Sequence, residues 1–340
     1  MIVMDVFKQD AFSATSLTAA VDKLGFVPGF LGSVPGLFEP TPVRTKEVYI
    51  ESRGTEAALI QTSERGQPME EKADTPRDAR PFATRRLAKK SRIEAHELAF
   101  IRRFGSEIDL ESLAEEISRR QMLLMRDLDL TVENLRLGVV QGVVTDADGS
   151  TWIDWADALG QTIPAEVDFD LDAANPVAGV IQKRCTTAVR SMIRNLKGIG
   201  GGGVRIMALC GDNFWDDLRA HPEVRATYLN YQAAAALRDP VAWETFNFGG
   251  IQWTNYRGTD DNTTVAVGTD KAKFFPAGAG IFKWTMSPGE KFSHLGQMGR
   301  KFYSEIVVDD KRDEWADVEL KAYPLPVCTM PQALYRARRT

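Results

Sequence analysis

Leu110, Leu113, Ile117, Leu124, Leu128, Leu135 and Val139 fall at steps of three, four or seven residues in the first half of the chain. That spacing draws one apolar stripe along a helix of 3.6 residues per turn. Glu111, Glu115 and Glu116 stand at its start, where negative charge suits the helix dipole. From Glu111 to Gln141, at ~1.5 Å per residue, the helix would be roughly 45 Å long, more than a compact domain needs. The helical pattern stops at Gly142. Val143-Val144-Thr145 then reads as a strand, Asp146-Ala147-Asp148-Gly149 as a turn, and Thr151-Trp152-Ile153-Asp154-Trp155 as the returning strand. A rod with a hairpin at its end is scaffolding rather than an active site.

Before the rod, Phe12 to Leu24 reads as a short amphipathic helix with Ser13 or Thr15 available as its cap. Gly25 to Pro42 is an apolar arm rich in Gly and Pro. It cannot form a core of its own and must lie on another surface, in its own subunit or a neighbour's. Glu47 to Glu51 and Ala57 to Thr62 alternate as strands around Ser52-Arg53-Gly54, a hairpin signal. Ser63 to Pro81 runs polar and too long for an ordinary connection, which predicts a protruding loop. After the rod, Asn175-Pro176 predicts a helix start and Gly198 its end. Val204 to Cys210 reads as a buried strand. Asp212 caps a helix bearing Phe214, Trp215 and Leu218, and Pro222 begins another. Strands are expected at Trp243 to Phe248, Ile251 to Tyr256, Thr264 to Val267, Lys271 to Phe275, Lys301 to Asp309 and Val318 to Tyr323.

The chain has 340 residues, enough for about two domains. Its net charge of −5 argues against a dedicated nucleic-acid binder, although not against a container for nucleic acid. Arg77 to Arg103 is locally basic, with nine Lys/Arg against Asp78, Glu94 and Glu97. It reads as a solvated face or as a contact to an acidic surface of another subunit. The N-terminus lacks a basic region followed by an apolar run, so no secretory signal is expected. The least charged stretch, Gly25 to Phe38, is too short and too broken by proline to span a bilayer.

Chemistry is sparse. Cys185, Cys210 and Cys328 are far apart and fit neither a disulfide framework nor a zinc site. Gly198 to Gly203 matches G-x-G-x-x-G, but a helix precedes it and a strand follows, the reverse of the dinucleotide-binding order. Asp146-Ala147-Asp148-Gly149 lacks the remaining ligands of a calcium loop. Asp168, Asp170 and Asp172 alternate toward solvent. His96, His221 and His294 have no nucleophile in a recognisable context. Trp215, Tyr228, Tyr231, Trp243, Trp253 and Tyr256 fall on core-type positions rather than forming a stacking platform. No catalytic, cofactor-binding or metal-binding residue is predicted, and no cofactor.

The order of parts carries a resemblance. It begins with the arm and the long charged loop. The basic segment Phe82-Ala83-Thr84-Arg85-Arg86-Leu87-Ala88-Lys89-Lys90 leads to the helix Glu111 to Gln141. The hairpin Val143 to Trp155 and a mixed region ending in strands follow. This resembles the major capsid proteins of tailed bacteriophages, in particular the phage lambda major head protein (capsid protein E) family. The resemblance implies an α+β fold of the Hong Kong 97 type. It implies an N-terminal arm over 1–42, an extended loop over 43–92 and a peripheral domain over 93–160 with spine helix 111–141. An axial domain over 161–300 and return strands of the peripheral domain with the C-terminus over 301–340 complete it. Some relatives crosslink a loop lysine to an asparagine. Lys72 is the lysine of this loop tip, and nothing in the sequence activates it.

The implied function is self-assembly into hexamers and pentamers of an icosahedral head enclosing double-stranded DNA without sequence-specific binding. Portal, scaffold or protease would be partners during assembly, and a decoration protein afterwards. No membrane partner is expected, and the location would be the virion, assembled in the host cytoplasm. The loop Arg257 to Asn262 would then lie near a capsomer axis, where copies of Asp260 and Asp261 repel. The competing readings are an encapsulin-like bacterial compartment and, from another class, a cytoplasmic α/β enzyme using His221 or His294.

Overall fold

A computed structural model describes residues 28–53, 77–100, 113–173, 175–229, 245–259, 264–312 and 314–340. In chain order the described elements begin with α1 (Phe30–Ser33), β1 (Glu39–Pro42), β2 (Glu47–Arg53), β3 (Arg77–Ala83), β4 (Leu87–Glu94) and α2 (Ala95–Phe100). The rod α3 (Leu113–Gln141) leads to β5 (Val143–Thr145), β6 (Thr151–Asp154), α4 (Trp155–Leu159) and β7 (Val167–Asp168). Then come α5 (Val180–Asn195), β8 (Arg205–Cys210), α6 (Asp212–Ala220), α7 (Pro222–Leu229), β9 (Thr245–Phe248) and β10 (Ile251–Asn255). The chain closes with β11 (Lys271–Ala277), β12 (Phe282–Met286), β13 (Tyr303–Val308), β14 (Trp315–Ala322), β15 (Pro324–Cys328) and β16 (Tyr335–Arg338).

The strands form a six-stranded mixed sheet in the order β7-β16-β11-β8-β10-β9, and two three-stranded sheets, β1-β12-β15 and β13-β14-β4. Two ribbons, β2-β3 and β5-β6, stand apart. Along α3 the stripe Ile117, Leu124, Leu128, Leu135 and Val139 is buried. It lies on the sheet β13-β14-β4, and Gln121 Nε2 donates to Ser304 Oγ of β13 at 2.7 Å. Toward its C-terminal end α3 is buried nearly all round, at Leu135, Leu137, Val139 and Val140. A Cβ on Gly138 would sit 2.8 Å from the Val143 carbonyl, so the helix and its hairpin touch closely. Gly142, at φ +90°, reverses the chain between them, a conformation that costs glycine little.

Two cores result. One surrounds α3 and takes in Met207, Leu209, Phe275 and Trp284. The other lies between the opposite face of the six-stranded sheet and α5 and α6, with Ala208, Cys210, Trp253, Phe274 and Phe214. Alternate residues of β8 serve different cores, which is why Ile206 to Cys210 is an unbroken apolar run.

Several sequence expectations change. The arm is not wholly extended: α1 and Leu37 intervene, and Leu31 and Leu37 are buried in their own subunit. Strand β2 runs on through Ser52 and Arg53, where the pattern predicted a turn. It pairs on to Arg53↔Arg77, so its partner is the distant Arg77–Ala83 and part of the polar loop is strand. The strand expected at Ala57 to Thr62 and the helix at Phe12 to Leu24 lie outside the described residues. Helix α5 starts at Val180 behind Gly179, not at Asn175-Pro176. Gly211 occupies the cap position before α6, with Asp212 in its first turn. Trp155 opens a helix capped by Asp154, whose carboxylate accepts from the Ala156 N–H at 2.9 Å. Thr264 to Val267 is irregular, although Val265 and Val267 are buried. Strands β4, β12, β15 and β16 had no counterpart in the pattern. Prolines 324 and 326 disguise β15, an edge strand where a missing N–H is tolerated.

Candidate assembly surfaces

The arm is held to the rod by one carboxylate. Glu133, fully buried on α3, accepts from the Leu31 backbone N–H at 2.8 Å and from the Tyr256 hydroxyl at 3.3 Å, both on Oε1. Its Oε2 faces Arg136 Nη1 at 3.6 Å. Burial pushes the Glu133 carboxyl above its usual range, opposed by the Leu31 N–H, Arg136 and Tyr256. The Arg136 guanidinium packs over the rings of Trp284 and Phe38, 5.2 and 5.7 Å from their centroids. Gly32 lies against that guanidinium, where a Cβ would collide with it. Nothing in the sequence pattern singled out Glu133. The available signal was a carboxylate flanked by Leu130, Val132 and Leu137 with Arg136 one turn on.

The ribbon β2-β3 has two unlike faces. Val48, Ile50 and Phe82 pack inward, the Phe82 ring tilted against Trp155 with centroids 5.1 Å apart. Glu47, Tyr49 and Glu51 point outward, with Tyr49 63% exposed. The basic run that follows finds acids within its own subunit. Arg85 pairs with Asp146 at 3.5 Å, Arg86 with Glu290 at 3.1 Å and Lys89 with Asp127 at 2.6 Å. Lys90 and Arg92 both reach the buried Asp317 at 2.8 Å. Hydrogen bonding from Arg92 and Lys90 holds that carboxyl below its usual range. Glu116, also buried, is held low by Arg119 and Arg120 in the same way. These cations seat the ribbon base and α3 within the subunit.

The candidate chemical groups are dispersed. His221 is buried where α6 meets α7, its Nδ1 accepting from the Glu223 N–H at 3.3 Å, and burial lowers its pKa. The His294 ring lies tilted against Tyr303 at 4.6 Å, and His96 lies 3.3 Å from the Glu94 carboxylate. None has a Ser or Cys hydrogen-bond partner among the described residues. The three cysteines are buried and unpaired, and burial pushes the thiols of Cys185 and Cys328 up to about 12. Among the described residues no group of acids, His or Cys could hold a metal, and no helix is long and apolar enough to cross a membrane. Asp168 and Asp170 pair with Arg338 and Arg184 instead, each at 3.5 Å. Trp215, Trp253 and Tyr256 are core residues. Tyr231 and Trp243, and the side chain of Tyr228, lie outside the described residues. The neck of the loop after β10 is closed by the Thr259 N–H on the Val265 carbonyl at 3.0 Å, and Asp260 to Asn262 lie outside the described residues.

Among the described residues the geometry offers a clamped arm and an outward-facing ribbon rather than a cluster of reactive side chains. The model of the family "Phage major capsid protein E" matches residues 13–339. The chain belongs to that family. The major capsid protein of Salmonella phage Felix O1 is 24% identical, with 97% of each chain covered. That of Pseudomonas phage KPP10 is also 24% identical, again with 97% of each covered. The capsid structure of cyanophage P-SCSP1u, 11% identical, covers 94% of this chain and 90% of that one with a TM-score of 0.55. The fold is therefore the Hong Kong 97 type, and this member of the capsid protein E family is a structural protein of a phage capsid shell. Its place is the virion, in assemblies of many copies. Membership does not favour the encapsulin-like alternative.

Proposed function

We propose that the chain builds hexamers and pentamers of an icosahedral head around double-stranded DNA, reading no DNA sequence and catalysing no reaction. In this reading residues 1–42 are the arm, 43–92 the extended loop, and 93–160 the peripheral domain with α3 as its spine. Residues 161–300 form the axial domain, and 301–340 return to the peripheral domain, except that β16 belongs with the axial sheet. The loop 257–262 lies near the capsomer axis. Portal, scaffold or protease join during assembly in the host cytoplasm, and a decoration protein joins the finished shell.

The observation that carries this reading is the ribbon β2-β3. Its two strands join no other described strand, and while one face packs on its own core the other leaves Tyr49 exposed to water. A neighbouring copy lying over the ribbon and the segment beyond it supplies the missing cover. Replacing residues 54–76 by a short Gly-Ser linker tests it. The expected product has native circular dichroism but forms no closed shells in the electron microscope. Closed shells of normal size and stability would refute the intersubunit role of the loop.

A further inference from the structure

Phe292, Leu295 and Met298 are 93, 70 and 50% exposed, an unusual display for three large apolar side chains within one short segment. The segment is held firmly. Its Gly299 N–H donates to the Val43 carbonyl at 2.9 Å, and the Arg300 N–H to the Tyr303 hydroxyl at 3.1 Å. Ser287 exchanges a hydrogen bond of 2.7 Å with Thr84, and the His294 ring lies on Tyr303 and against Gly289. A fixed scaffold that turns a phenyl ring into water is a preformed knob, because little ordering remains to be done when it docks.

The chain itself carries a surface of matching character. On the outer face of β2-β3, Tyr49 stands beside Pro81 and between the exposed Glu47 and Glu51, whose carboxylates have no ion pair among the described residues. At the knob's rim Arg300 is exposed and has no ion pair among the described residues, while Lys291, next to Phe292, pairs with Glu305 at 2.9 Å and Glu290 with Arg86 at 3.1 Å. Apolar centre thus matches apolar centre, and the unpaired Arg300 matches the unpaired carboxylates of Glu47 and Glu51. Two different patches on one chain make a head-to-tail contact, the kind that closes into rings.

We propose that the Phe292 knob of one copy docks on the Glu47-Tyr49-Glu51 face of a second copy. This rests on the shell reading above and names the surfaces that meet. Phe292 and Tyr49 are its anchors, and Arg300 sets the register against Glu47 and Glu51.

The test compares wild type with Phe292→Ser, Arg300→Glu and the double variant Arg300→Glu/Glu51→Arg. Circular dichroism and thermal unfolding monitor the subunit, while electron microscopy and size exclusion monitor particles. Both single variants are expected to fold as wild type, because the replaced side chains make few internal contacts. Each should raise the protein concentration needed for assembly about tenfold or more. The double variant should recover part of the loss. Wild-type particles together with unimpaired Phe292→Ser particles would overturn the contact while leaving the shell reading intact. No particles from wild type would remove both. Should Phe292→Ser fail to fold, the wild-type shell imaged at side-chain resolution decides: Phe292 on a neighbour's Tyr49 supports the contact, and Phe292 in solvent or on any other surface overturns it.

Discussion

Lys273 on β11 lies directly opposite Arg336 on β16, two cations facing each other across an antiparallel ladder. Neither has an ion pair among the described residues, and Arg336 Nε is buried without a hydrogen-bond partner. Burial pulls the Lys273 pKa down, and Arg336 and Lys271 add to the fall while Glu166 opposes it. Like charges directly opposite each other weaken a sheet.

Replacing Lys273 by methionine keeps the aliphatic stem and removes the repulsion. Lys273→Met should stabilise the subunit by about 0.5–1 kcal/mol in urea unfolding. A loss of stability instead would mean that the ammonium has a favourable partner in the subunit.

Glu133 is the reverse case, a buried charge with partners on three segments. Glu133→Ala leaves the Leu31 N–H without its acceptor and strips Arg136 of its carboxylate. Unfolding should become easier by about 2–4 kcal/mol. Glu133→Gln keeps an acceptor for Leu31 and should cost clearly less. Equal losses in the two variants would show that packing, not hydrogen bonding, holds the arm.

The same residue fixes a pH dependence. Because its folded pKa is raised, the native state binds the proton more tightly than the unfolded chain. Glu133 therefore contributes most below its unfolded pKa, and that contribution is lost as pH rises through the folded pKa. Asp317 and Glu116, whose pKa values are lowered, act oppositely: their stabilisation is present above the unfolded pKa and lost as pH falls through the folded value. The stability of wild type relative to Glu133→Gln should therefore decline from pH 4.5 toward neutrality, on the order of the carboxylate range. Asp317→Asn should flatten the acid limb. Urea unfolding across pH measures both, and a wild-type advantage over Glu133→Gln that grows with pH would contradict the assignment.

Leu124 tests the rod. It is 4% exposed where α3 meets the sheet β13-β14-β4. Leu124→Ala should cost about 2–5 kcal/mol and lower the yields of soluble protein and of particles together. Unchanged thermal unfolding would mean that the stripe is packed elsewhere.

Local pattern determined much of this protein. The period through Ile117, Leu124, Leu128 and Leu135 specifies α3, Asp148-Gly149 specifies the turn between β5 and β6, and the run Ile206 to Cys210 specifies a strand buried on both faces. Each depends on residues within a few positions of one another, and the order of such elements was enough to show the family resemblance. Only the tertiary structure decided which distant pieces meet. The partner of β2 is the distant Arg77–Ala83, and a ladder's register is set by what both strands can bury. Strand β15 pairs with β12 in spite of two prolines, because an edge leaves their missing N–H groups harmless. Glu133 became a clamp only when the arm and Tyr256 were brought to the same side of α3. Phe292, Leu295 and Met298 have the spacing of buried residues and yet face water, because burial is decided by what the fold places above a side chain, and spacing along the chain does not encode that.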